Sequence, residues 1–363
     1  MINHLHIKEA SRIFARSLKV RFKGPKKYQG NAEQICKSIV EDCWNGRYFQ
    51  VSAGHFNEFY IRDFGWCIDS LLKLGYKEEV IKSLEYALKI YAENDRVATT
   101  ITFQGKVLDV FSYAPDSLAF LIRSLRVSGA KDIVDRYTPF LTKETERCFD
   151  ICFDKNDGLV REDVNFSSMK DEAKRKSSCY DNVMVAMLSE ELDKLKLHNP
   201  FKEYDIKKRI KEEFWNGEYF YDDLKKKEMI TGDSNVFPFW TGIFQDNNML
   251  KKCVNAIQKD GLDMPFPLKY SRDRSKESKM NAVAFFAGDY EHDCIWMHMG
   301  PLYIKSVRKI DAEKAKEYKL KYKEIIEKHR NFLEVFDKDG KPYRNLFYYT
   351  DESMLWAANY LTL

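Results

Sequence analysis

Four carboxylates in this 363-residue chain sit among aromatic and basic neighbours. Asp63 lies in FYIRDFGW beside Arg62, with Tyr60 three positions before it and Trp66 three after. Asp116 lies in YAPDS, and Asp171 in SSMKDEAKR close to Lys170, Lys174 and Arg175. Glu334 lies in NFLEVFDKDG between Leu333 and Val335, with Phe332 and Phe336 beyond. Carboxyls move protons and grip hydroxyls, while aromatic rings stack on the apolar face of a sugar. An acid buried among apolar residues has its pKa raised. Each acid also has a plain structural account. Asp116 can cap the helix SLAFLIRSL, Asp63 can pair with an arginine, and Asp171 can be a solvated loop charge.

Other chemistries leave no mark. GxxxxGK[ST], GxGxxG, HExxH and GxSxG are all missing from the sequence. Of seven histidines, His292 and His298 stand six apart, and a six-residue spacing suits neither a helical nor a strand metal site. No metal and no cofactor is expected. Eight cysteines form no CxxC pair, which fits buried thiols in a reducing compartment. The N-terminus MINHLHIKEASRIF lacks an apolar signal core, and no stretch nears the ~18 apolar residues of a membrane span. A cytoplasmic protein with no membrane partner is expected. With 60 basic and 56 acidic residues, the chain has no overall nucleic-acid footprint. From Ser11 to Ala32 there is no acid, and Leu18, Val20 and Phe22 alternate with basic residues. That alternation reads as a half-buried strand with a solvated edge.

Helices must position the four acids. GYKEEVIKSLEYALKIYAEN (75–94) carries one apolar stripe through Val80, Ile81, Leu84, Leu88 and Tyr91. Similar stretches run over Ser117–Val127, Asn182–Leu197, Asn247–Gln258, Gly300–Ile310 and Ala312–Phe332. The connections between them, such as residues 55–66, 110–117, 153–176, 232–240, 263–270, 292–301 and 334–349, hold much of the Gly, Pro, Trp and Tyr. Loops this aromatic should pack together and line a cavity. WNGRYF at 44–49 returns as WNGEYF at 215–220, each after a helical stretch, so Gly46 and Gly217 are expected to stop helices in the left-handed conformation. FDKNDGLV (153–160) is echoed by FDKDGKPY (336–343). These repeats point to helical hairpins closing into an all-α toroid with only minor β structure. Residues 1–35 would lead into it and 36–363 would form it as one domain.

Taken in order, these segments resemble the (α/α)6-barrel inverting glycoside hydrolases, the clan of neutral/alkaline invertases, trehalases, processing α-glucosidases and mannosylglycerate hydrolases. FYIRDFGWCIDSLL is similar to the IRDF segment of the invertases, and APDSLAFLIRSL to their PVDSGLWW helix start. SSMKDEAKRKSSCYDNVMVAMLSEEL, GDSNVFPFW, MPFPLKYS, IWMHMGPLYI and NFLEVFDKDGKPYRNLFYYTDESMLWAANYL follow in the clan's order, from about residue 40 to the end. The resemblance implies Asp171 as general acid and Glu334 as general base. It also implies a sugar seat of Arg62, Asp63 and Asp116, walled by Tyr60, Trp66, Trp240, Trp296, His298 and Tyr303. The implied substrate is a small carbohydrate such as an α-glucoside. SSMKD departs from the Trp-containing acid loop of the trehalase branch, and Glu172 follows directly. A sugar epimerase working through histidines, or a non-catalytic carbohydrate-binding protein, would use the same toroid. Oligomeric state is not legible in the sequence.

Overall fold

The computed structural model of the chain describes residues 4–170, 173–272, 288 and 290–363. Its inner helices are α3 (Ile61–Lys73), α5 (Pro115–Ser128), α7 (Cys179–Leu195), α9 (Gly232–Trp240), α11 (Met299–Val307) and α13 (Ala357–Leu361). Each packs on the next, and α13 packs back on α3, so the ring closes. An outer set alternates with them in sequence: α2 (Ala32–Cys43), α4 (Lys77–Glu93), α6 (Lys131–Cys152), α8 (Ile206–Phe214), α10 (Asn247–Lys259) and α12 (Ala312–His329). The chain is a mostly helical single-domain toroid, with the outer helix α2 beginning at Ala32.

The two sets differ in amino-acid pattern for a physical reason. Outer helices face water on one side, so α10 buries only one stripe, including Met249, Leu250, Cys253, Val254 and Ile257. Inner helices are covered on all sides. In α7 every residue from Cys179 to Leu188 is buried, and in α3 every residue from Ile61 to Ile68. Full burial blurs the 3.6-residue rhythm, although the inner helices α5, α7 and α11 still read as helical in sequence. This is why α3 and α9, written FYIRDFGW and GDSNVFPFW, read as aromatic connections although they are helices.

The N-terminal segment also differs from the expectation. Residues His4–Lys23 form helix α1, not a strand. Glu9, Ser17 and Val20 are buried, at helical spacing, while Leu18 and Phe22 are exposed. The apparent alternation arose because only Val20 of that trio points inward.

The WNG repeat is a turn built twice. Helices α2 and α8 end before it, at Cys43 and Phe214. The side chain of Asn45 accepts from the N–H groups of Arg47 and Tyr48, and Asn216 does the same for Glu218 and Tyr219, all at 2.9 Å. Trp44 pairs with Phe49 and Trp215 with Phe220. Gly46 (φ 88°) and Gly217 (φ 101°) hold the left-handed position inside this turn rather than capping the helix. A third copy, RNLFYY (344–349), has the same bonds from Asn345 to Phe347 and Tyr348 without any glycine.

β structure is limited, among the described residues, to isolated bridges and two-residue strands: β1 (Phe59–Tyr60), β2 (Thr100–Ile101), β3 (Val107–Leu108), β4 (Phe153–Asp154), β5 (Leu159–Val160), β6 (Ile295–Trp296) and β7 (Val335–Phe336). They pair antiparallel, β1–β2–β3, β4–β5 and β6–β7. No described helix is long and apolar enough to cross a membrane. All eight cysteines are free and buried. Alkylation under native conditions is expected to label few or none, and alkylation after unfolding without reductant to label all eight. A native disulfide in the unreduced protein would overturn this.

Candidate active site

The β6–β7 pair assembles one wall of a cavity inside the ring. Trp296 pairs with Val335, and the N–H of Met297 donates to the carbonyl of Glu334 at 3.1 Å. That register brings Trp296, His298 and Glu334 to one place from two distant segments. The opposite contribution comes from β1 and the first turn of α3, which deliver Tyr60, Arg62, Asp63 and Trp66. All seven of these residues line a cavity of about 140 Å³.

The apolar surface is a cluster of rings. Trp66 and His298 stack with centroids 4.4 Å apart and planes within 10°. Trp356 lies 4.9 Å from His298, and Tyr270 donates or accepts across 3.2 Å with His298 Nε2. Burial, helped by the Arg62 charge, pushes His298 well below its usual pKa, so its imidazole is neutral.

The polar surface is made of buried ionisable groups. Glu334 is buried, and burial together with the nearby Asp351 charge raises its carboxyl to about 8. Asp63 accepts from the Trp356 indole at 2.9 Å, and burial raises it to about 7 against the pull of Arg62. Two carboxyls whose pKa values approach neutrality, in one aromatic cavity, suit proton transfer.

Three residues expected at the sugar seat do not line the cavity. Asp116 sits behind Arg62, whose Nε donates to it at 2.6 Å, and Tyr180 donates to the same oxygen at 3.0 Å. It does not cap α5 either, because Ala114 holds that position and Pro115 opens the helix. Its place is to orient Arg62, together with the Ser167 carbonyl at 2.6 Å. Trp240 closes α9 and packs on Phe237, Phe120 and the guanidinium of Arg123. Tyr303 packs on Tyr318, away from the cavity.

Asp171 and its neighbour Glu172 lie outside the described residues. The chain on either side is described. Met169 lines the cavity, Tyr270 donates to its carbonyl at 3.3 Å, and Lys170 is fully buried within 3.7 Å of Asp222. Arg175 is pinned by Asp233 at 2.8 Å and the Ser168 carbonyl at 2.8 Å.

Sequence reasoning missed Trp356, Tyr270, Tyr290, Glu291 and Met169, all of which line the cavity. Trp356 had a signal, since a tryptophan in the closing segment SMLWAANYL is costly to place without purpose. Glu291 had none. Among the described residues no group of three or more His, Cys, Asp or Glu side chains could hold a metal ion.

No family model matches the chain, and no curated protein does at a meaningful level. Solved structures do match. The chain is similar to a Klebsiella oxytoca rhamnosidase with rhamnose bound, at 10% identity and a TM-score of 0.63, over 93% of this chain and 64% of that one. It is equally similar to the GH63 mannosylglycerate hydrolase of Thermus thermophilus in complex with Tris and D-glycerate, at 10% identity and 0.63, over 90% and 98%. A glycosidase variant in complex with glucose matches at 11% identity and 0.60, over 99% and 97%. The toroid of alternating inner and outer helices is therefore the fold of these glycoside hydrolases.

Proposed function

We propose that the chain hydrolyses the glycosidic bond of a small carbohydrate, with inversion at the anomeric carbon. The observation that carries this is Glu334, a buried carboxyl of raised pKa on the wall of a ring-lined cavity that also holds Arg62 and Asp63. Asp171, protonated, donates to the leaving oxygen as the C–O bond breaks. Glu334, ionised, takes a proton from a water whose oxygen bonds to the opposite face of the same carbon. Arg62 and Asp63 grip hydroxyls, and those bonds tighten as oxocarbenium charge develops. Trp66, Trp296, Trp356 and His298 give the sugar its stacking surface. The small cavity favours a single sugar unit such as an α-linked glucose. The resemblance and the solved structures support a glycosidase, and the buried free thiols support a reducing, cytoplasmic setting.

A panel of α- and β-linked disaccharides and glucosides tests this. The expected result is hydrolysis of at least one, with the fresh product of opposite anomeric configuration in proton NMR before mutarotation. Retained configuration rejects the mechanism. Hydrogen exchange at a sugar carbon without hydrolysis would instead indicate an epimerase, and binding without turnover a carbohydrate-binding protein.

A further inference from the structure

Behind Glu334 runs a line of buried polar groups that does not touch the cavity. The Tyr348 hydroxyl donates to Glu334 Oε2 at 2.5 Å. His55 Nε2 lies 3.2 Å from that hydroxyl on its other side, and His55 Nδ1 lies 3.0 Å from Asp351 Oδ1. Asp351 is fixed in turn. It accepts from Ser52 at 2.5 Å and from the N–H groups of His55, Phe56 and Glu352 at 2.8, 3.1 and 2.8 Å. Its own N–H donates to Glu334 Oε2 at 2.9 Å, so the line bends back on itself. All four residues are buried, and of the four only Glu334 lines the cavity.

A tyrosine has one hydroxyl proton, and here it has two acceptors. When Glu334 is ionised the proton faces Glu334, because a charge-assisted bond is the stronger. When Glu334 holds a proton of its own, it can donate to the Tyr348 oxygen, which frees the hydroxyl proton to face His55 Nε2. In the neutral tautomer that carries its hydrogen on Nδ1, which lies 3.0 Å from Asp351 Oδ1 without a hydrogen bond to it, Nε2 is the acceptor.

We propose that Tyr348 and the His55–Asp351 pair are positioning residues that share the proton of the base Glu334; this rests on the reading of Glu334 as the general base. As Glu334 takes a proton from water, its O–H bond breaks toward the Tyr348 oxygen and the Tyr348 O–H bond breaks toward His55 Nε2. The excursion of the proton to His55 is transient and leaves an imidazolium 3.0 Å from the Asp351 carboxylate; burial raises Glu334 and lowers His55, so the proton comes to rest on Glu334. The reverse path returns the proton to the cavity when product leaves. Burial keeps the resting imidazole neutral; Asp351 opposes this and Arg12 and Arg16 of α1 reinforce it. From α3, Asp63 acts on Glu334, and the Tyr290 ring lies beside Tyr348.

The test needs no substrate. The Glu334 carboxyl is titrated by difference infrared spectroscopy of wild type against Glu334→Gln, and the His55 nitrogens by ¹⁵N NMR. In wild type the His55 nitrogens are expected to show an inflection at the Glu334 midpoint, so that the two signals share it. In Tyr348→Phe they should separate, and the Glu334 midpoint should rise by about one pH unit, because a hydrogen bond favouring the carboxylate is gone. Independent titration in wild type, or an unmoved midpoint in Tyr348→Phe, overturns the proposal. Should Tyr348→Phe not fold, Glu334→Gln alone decides: the His55 titration must shift in it. Activity separates the two ideas. Full hydrolysis by Glu334→Gln removes the catalytic reading, whereas an inactive Glu334→Gln with uncoupled signals removes only the relay.

Discussion

Glu334→Gln is expected to lower kcat by about 10²-fold or more while leaving the fold intact, since a positioned general base is usually worth that much. Glutamine keeps the shape of the side chain and still offers an oxygen to Tyr348 and to the Asp351 N–H, so the wall of the cavity should persist. What disappears is the ability to take a proton from water. The pH dependence gives the same prediction a sign. Burial first, and the Asp351 charge second, raise Glu334 to about 8 in the folded chain. A general base works ionised, so kcat/KM should fall as pH drops through about 8, and that acidic limb should vanish with the residual activity of the variant. Stability follows the same shift. The folded pKa lies above the unfolded value of 4.5, so the folded wild type binds the proton more tightly and loses stability as pH rises from 4.5 to about 8, by at most about 1.4 kcal/mol per pH unit. The variant lacks this loss. Its Tm relative to wild type should therefore climb across that window, a measurement independent of any substrate. A variant with undiminished turnover would remove Glu334 from the mechanism.

How much of this was legible in the residues depended on how local each cause was. Glu334 could be read because its apolar flanks, Phe332, Leu333, Val335 and Phe336, are all fully buried and lie next to it in the chain. The outer helices α4, α10 and α12 could be read because water imposes a stripe on them, whereas the outer helix α6 was not read although the inner α5, α7 and α11 were. The inner helices α3 and α9 could not, because full burial removes the contrast that makes a stripe. Asp116 shows the limit of reading a residue by its neighbours. Its aromatic setting looked like a sugar contact and its position like a cap, yet its partner Arg62 is 54 residues away and decides its role. The line behind Glu334 was wholly out of reach. His55 meets Tyr348 across 293 residues and Asp351 across 296, and only closure of the ring joins them. One part of it had a faint signal. Tyr348 is held by the third copy of the Asn turn, and the N-x-x-Y pattern shared by 45–48, 216–219 and 345–348 is in the sequence.

The acid is the second residue whose loss should be large, and its identity turns on one position. Asp171→Asn is expected to cut kcat by about 10²-fold or more on substrates with a sugar alcohol or second sugar as leaving group, and Glu172→Gln to leave it nearly unchanged. The flanking chain supports this. Met169 faces the cavity while Lys170 turns into a buried cluster with Asp222, and Arg175 is clamped by Asp233 and the Ser168 carbonyl. The chain is therefore anchored at Lys170 and again at Arg175. The chemistry supplies a sharper discriminator than the rate alone. A general acid matters only when the departing oxygen needs a proton. On a glycosyl fluoride, or a glucoside of an acidic phenol, Asp171→Asn should regain most of its activity, whereas Glu334→Gln should stay inactive because water must still be deprotonated. If instead Glu172→Gln shows the selective rescue and Asp171→Asn is silent, the acid is Glu172. If both variants are silent, the proton for the leaving group comes from elsewhere in the cavity, and Asp63, held at about 7 by burial, becomes the group to test. Whichever residue answers, an inverting pair requires its carboxyl to stand about 6.5–9.5 Å from that of Glu334 with sugar bound, leaving room for the attacking water.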